Sequence, residues 1–224
     1  MTMTANELRA SLQELLRLLQ FSDIALTFRP VVIQRVSSGR RRVTWSPSLR
    51  RSPQLFHGSF ATPDEYRAWI EAESYSALLY DGSFLQLSYD FHGTSMVAHR
   101  LVFYPCPYEI DLGLLKEEPT LDVIDLYEGG GSTIRLASPL RFEYDSAGQA
   151  EGHPASHLTI NGEHCRWAVT SPLSPGHFIR FVFRHFYPSL WRNVEFIREW
   201  PQIPGPKTIS DSEESMLHVS CGRH

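Results

Sequence analysis

SALLYDGSFLQLSYDFHGTSMVAHRLVFY, residues 76–104, holds three apolar runs parted by two turn dipeptides. Ser76 to Tyr80 runs into Asp81-Gly82, a favoured hairpin pair. Phe84, Leu87, Tyr89 and Phe91 follow in partial alternation, and His92-Gly93 turns the chain again. Met96 to Tyr104 forms the third run, which Pro105 and Pro107 stop. The spacing predicts an antiparallel meander.

Upstream, Thr4 and Glu7 form a Thr-x-x-Glu capping box. Leu8, Leu12, Leu15 and Leu19 then share one helical face, so residues 5–20 read as an amphipathic helix. Packing on its own domain is the favoured use of that face, and a partner protein is the alternative. Val31 to Val36 and Val43 to Trp45 flank a turn whose far side carries Arg40, Arg41 and Arg42. Residues 46–61 read as loop. Thr62-Pro63-Asp64-Glu65 opens a helix that is expected to last to about Glu73.

Downstream, Leu121 to Tyr127 reads as an edge strand before Gly129-Gly130-Gly131, whose setting is not that of a phosphate-binding loop. Strands are expected at 133–137, 140–145, 155–160 and 164–169, with Asn161-Gly162 as a hairpin turn. Ser174-Pro175 opens a helix with Phe178, Phe181, Val182 and Phe186 inward; Pro188 breaks it, and Ser189 to Arg198 follows as a short helix. The polar residues after Pro201 predict a disordered tail over 201–224. The expected fold is α+β: a mostly antiparallel, twisted sheet of meander and hairpins, with helices at both ends. Residues 1–200 are expected to form one domain. Within it, residues 1–60 supply the N-terminal helix and arginine-rich hairpin, and 61–200 the core.

The chain has 224 residues, with 21 basic and 25 acidic side chains. That composition excludes a collagen, a wholly disordered chain and a small disulfide scaffold. No uninterrupted apolar run approaches the length of a membrane span, so no membrane association is expected. The N-terminal helix carries Arg9, Glu14 and Arg17, unlike a secretory signal. Three cysteines without a C-x-x-C pair point to a reducing cytoplasm. The charge is segregated. Residues 24–63 hold seven arginines and no acid, whereas 109–128 hold seven acids against Lys116. Arginine's planar fork suits phosphate, so the basic block is a candidate footprint for RNA or other nucleic acid. A solvated surface, or one that meets the acidic segment, is the alternative.

The densest polar cluster is Arg141-Phe142-Glu143-Tyr144-Asp145 followed by His153-Pro154-Ala155-Ser156-His157-Leu158-Thr159. On a strand Arg141, Glu143 and Asp145 point one way. His153 and His157 as an acid–base pair, with Arg141 on the phosphate and Asp145 orienting an imidazole, would suit metal-independent phosphodiester cleavage. Ser156, Thr159, His99, Arg100, Arg40, Arg41 and Arg42 are the candidate substrate-binding residues, and no cofactor is expected. Asp81 and Gln86 are also candidates for the same sheet face. Two other readings stay open: a turn with an Arg141–Asp145 ion pair, and a metal held by His153, His157 and Asp145.

Several strings together resemble a bacterial family known as domain of unknown function 2290. They are Leu79-Tyr80-Asp81-Gly82-Ser83 with Gln86, His99-Arg100-Leu101-Val102-Phe103-Tyr104-Pro105, the two clusters just quoted, and Pro172-Leu173-Ser174-Pro175 running into Arg184-His185-Phe186-Tyr187. The resemblance covers about residues 60–195 and implies an accessory protein of mobile or defence loci. A weaker likeness, through Asp81, Arg141, Asp145, His153 and His157, is to small RNA-targeting toxins of toxin–antitoxin modules. Together these imply a cytoplasmic, toxin-like or antiviral-defence protein that binds RNA or another phosphate-bearing ligand, with endoribonuclease activity as the catalytic form. The alternatives are a non-enzymatic subunit, which meets a partner through the N-terminal helix or charge blocks, and a metal-dependent hydrolase.

Overall fold

The structure is a computed structural model that describes residues 3–46, 62–130, 134–135, 138–150, 152–160 and 165–221. Among those residues it is an α+β fold with a nine-stranded sheet whose named strands all pair antiparallel. The expected loop at 46–61 lies, apart from Ser46, outside the described residues, as do Arg50, Arg51, Gly131 and Asn161-Gly162.

The capping box forms as expected, and α1 runs Ala5–Phe21 with Leu8, Leu12, Leu15, Leu16 and Leu19 buried on its own sheet. Strands β1 (Ala25–Phe28), β2 (Val31–Ser37) and β3 (Arg40–Trp45) follow, then helix α2 (Pro63–Glu71). The meander forms as β4 (Ala77–Leu79), β5 (Phe84–His92) and β6 (Ser95–Tyr104). Gly82 turns the chain between β4 and β5 with φ of 81°, a backbone state that favours glycine. Strand β5 is the hub: β4 pairs with its start, β3 with its end, and β6 along its other edge. The sheet continues through β7 (Leu140–Asp145), β8 (Ser156–Ile160) and β9 (Arg166–Ala168).

Helices cover the two faces unequally. One face is buried along its length by α1 and by α5 (Pro175–Phe186), α6 (Pro188–Asn193) and α7 (Glu195–Glu199). The other face is covered at one end only. There α2 and α4 (Thr120–Gly129) pack on it through Tyr66, Ile70 and Ile124, with Phe84 and Tyr104 stacked at 4.7 Å beneath them. Among the described residues the rest of that face carries no helix.

Three expectations are corrected. Leu121 to Tyr127 is helical, within α4, behind a short helix α3 (Leu112–Glu117). Its apolar residues do not alternate; Val123 and Ile124 turn inward together while Asp122 and Asp125 face out, which suits a helix. The acidic segment does not meet the arginine block: Asp125 and Glu128 pair with Arg67 of α2, and Glu109 with Arg135. The expected strand at 133–137 is described only at Ile134 and Arg135, where Ile134 bridges Tyr108.

The tail is corrected too, beside the helix at 121–127 and the pairing of the acidic segment. Residues 201–221 are ordered against the body, and only 222–224 lie outside the described residues. Thr208 N donates to Thr170 O, and Thr170 N and Val219 O bond at 3.0 Å, so the tail adds main-chain pairing beyond Ala168. A short helix α8 (Asp211–Glu214) is closed by a Ser210 capping box. The polar composition misled because this segment is held by backbone hydrogen bonds and a few apolar anchors such as Ile209.

Candidate functional site

The open face carries a lattice of charged side chains set by strand register. In one row across the sheet Ser88, Arg100, Glu143 and His157 lie opposite one another in turn. In the next row lie Val102, Arg141, Thr159 and Arg166. On the other side of the first row lie Asp90, Ala98 and Asp145, with Arg42 opposite Asp90 on β3. Cross-strand partners and alternate residues share a face, so these chains all project from the open side. All but Val102, which is buried under α2 and α4, and Thr159 line a cavity of about 510 Å³ that also takes in Arg40 and His153.

Two buried carboxylates organise it. The Asp90 side chain is 5% exposed, and Arg42 grips it with Nε–Oδ1 at 2.6 Å and a second bond at 2.9 Å. Arg40 Nε reaches the same carboxylate at 3.0 Å. Glu143 is held likewise, by Arg100 Nε at 2.8 Å and Arg141 Nε at 2.6 Å. Burial would raise the Glu143 pKa. The charges of Arg100 and Arg141 outweigh that, and hold the carboxyl well below the usual range. Each carboxylate fixes two guanidinium forks. Five arginines against three carboxylates leave the cavity walls net basic.

The histidines are arranged differently from the expected clasp. His157 Nδ1 lies 2.9 Å from Pro154 O, a pure acceptor, so Nδ1 carries the proton. Nε2 is buried and stands 3.4 Å from Glu143 Oε2, too long for a good hydrogen bond. The His153 ring packs edge-on against His157 with centroids 4.8 Å apart. Two rings in contact leave no room for a phosphoryl group between them. Asp145 is exposed and accepts from Ala147 N, so the orienting role expected of it falls to the Pro154 carbonyl. Among the described residues no group of three or more His, Cys, Asp or Glu is placed to hold a metal ion, and His153, His157 and Asp145 do not form one.

A family model described as an uncharacterized conserved protein (DUF2290) matches residues 28–221. The chain belongs to the DUF2290 family. No curated protein and no solved structure matches it. The family match begins well before residue 60, so the arginine-bearing hairpin of β2 and β3 is part of the DUF2290 unit.

Of the residues singled out in the sequence, the DUF2290 fold brings Arg40, Arg42, Arg100, Arg141, Asp145, His153, His157 and Thr159 to the open face. Three leave it. Arg41 alternates to the opposite face and donates to Gly93 O. Ser156 bonds Thr208 on the helix-covered side. His99 is buried there too: Nε2 accepts from Leu173 N at 2.9 Å, and burial pushes its pKa down to about 3. It is a neutral bracket for the segment that leads into α5. His99→Leu is expected to lower Tm, by about 1–3 kcal/mol of stability for the unpaired Leu173 N–H, and to leave ligand binding unchanged. Asp81 accepts from Tyr187 Oη, and Gln86 donates to Ser74 O under α2, so neither enters the groove.

Asp90, Glu143 and Arg166 are the site residues that the sequence reading did not select. Glu143 had a signal, two residues from Arg141 on one strand. Arg166 had a weaker one. A two-residue turn at Asn161-Gly162 would set His157 opposite Arg166; the observed register sets Thr159 there. Asp90 had none, because its partners lie on a strand nearly fifty residues away.

Proposed function

We propose that the groove binds RNA or another phosphate-bearing ligand, in the cytoplasm, as part of a defence or toxin-like role. The observation that carries this reading is one concave face with five arginine forks, four of them oriented by Asp90 and Glu143. Oriented guanidinium groups suit phosphate oxygens in geometry as well as charge. The aromatic residues that line the groove among the described residues are Tyr144 and histidines, outnumbered by arginines, so recognition is read as running chiefly through phosphates.

Cleavage is the catalytic form of the same reading. In the neutral ring His157 Nε2 has a lone pair with which to take a 2′-hydroxyl proton. In-line displacement needs an acid on the far side of phosphorus, and His153 lies on the same side as His157. That contact favours binding without turnover, the role of an accessory subunit.

Titration of labelled RNA at several salt concentrations tests the binding. Affinity is expected to fall steeply with salt, and Arg40→Ala or Arg166→Ala to reduce the log–log slope by about 1 each. Salt-independent binding, or none, would remove the proposal. Expression of the wild type beside His153→Ala/His157→Ala, with growth and total RNA followed, separates the two forms. RNA loss confined to the wild type supports cleavage. Intact RNA with both proteins supports the subunit.

A further inference from the structure

We infer that the β8–β9 end of the groove holds a terminal phosphoryl group, so that the ligand is a phosphomonoester: a nucleotide or a phosphorylated RNA end. This rests on the phosphate-binding reading above. Most polar groups on the open face are paired within it, but four are not. One is His153 Nδ1; the other three, His157 Nε2, Thr159 Oγ1 and Arg166 Nε, are neighbours on β8 and β9, and all four are buried and make no hydrogen bond among the described residues. His157 and Thr159 are 3% and 4% exposed, so water outside the fold does not serve them.

Register places the three together. Thr159 lies directly opposite Arg166, and His157 is two residues along β8 on the same face. Arg141 flanks Thr159 from the other side, anchored by Glu143. Buried polar groups are nearly always satisfied, so a cluster of three marks the place of an absent partner. Thr159 Oγ1 and Arg166 Nε are donors that ask for oxygen acceptors. His157 Nε2 takes either role, since it accepts a P–OH proton in the neutral ring and donates to an oxyanion in the charged one.

One group that serves all three atoms must carry three oxygens on one centre. A terminal phosphoryl group offers three, whereas an internal phosphodiester offers two. The cavity, at about 510 Å³, extends from His157 and Arg166 past Arg100 to Arg40 and Arg42. That leaves a basic channel for the remainder of the ligand.

Calorimetric titration with adenosine monophosphate and with a dinucleoside monophosphate that lacks a terminal phosphate tests the inference on the full chain. The mononucleotide is expected to bind about 10-fold or more tightly. Thr159→Val and Arg166→Gln are each expected to weaken the mononucleotide about 10-fold and the dinucleoside by clearly less, with Tm near that of the wild type. Equal affinity for the two probes would overturn the inference, as would wild-type affinity in both variants. If RNA binds equally with phosphorylated and unphosphorylated ends, this subsite is wrong while the groove reading stands. If neither RNA nor nucleotide binds, both fall.

Discussion

Glu143→Ala is expected to cost about 3 kcal/mol of stability, measured by urea unfolding at neutral pH. The carboxylate sits between Arg100 and Arg141 with its side chain 15% exposed, and its removal leaves two guanidinium groups facing each other without a counter-charge. Breaking a buried pair on one side costs about 3–5 kcal/mol, and the lower figure applies because the groove opens to water. The arginines would repel, so the groove should widen and RNA affinity fall as well. The pH dependence gives an independent check. The folded pKa of Glu143 lies below its ordinary value of 4.5, so the stability it contributes is present above that value. It is lost as the pH falls below 4.5 toward the depressed folded value. The gap between wild type and Glu143→Gln should therefore narrow in acid. A gap that stays constant would mean that Glu143 does not carry this charge network.

Gly176→Ala is expected to destabilise by about 2–3 kcal/mol, near the top of the usual range for overpacking. Gly176 lies in the first turn of α5, and a Cβ there would stand only 2.3 Å from Pro201 O and 2.8 Å from Pro201 C. Both are main-chain atoms, so no side chain can rotate away. The tail must leave α5, and the Thr170 and Val219 main-chain bonds should loosen with it. Amide exchange would read this as faster exchange at Thr170, Thr208 and Val219, beside a lower Tm. Unchanged protection at these amides would show that the tail does not depend on the close approach at Gly176.

These two positions mark how far local reading reaches. The Thr4–Glu7 capping box, the Asp81-Gly82 turn, the meander and the inward face of α5, apart from Phe186, which is exposed, were legible because each depends on residues within a few positions of one another. The alternation of Arg141, Glu143 and Asp145 was legible for the same reason, as was the nearness of His153 to His157. Leu121 to Tyr127 was not, since a short apolar run without clear period is ambiguous between strand and helix. The tail was not, because its order comes from backbone pairing with residues far back in the chain.

The amino-acid sequence by itself determined the α+β class, the meander, the helix starts and the family, since these follow from local periodicity, turn chemistry and quoted motifs. Register decided which of its arginines and histidines became a site. Arg41 and Arg42 are neighbours in the chain, yet strand alternation sends them to opposite faces. Arg42 and Asp90 are distant in the chain, yet β3–β5 pairing joins them. His99 looked like a ligand residue and became a core bracket for the same reason. A one-residue shift in any of these pairings would reverse the faces, and only the packed sheet, with one side buried under helices, chooses between them.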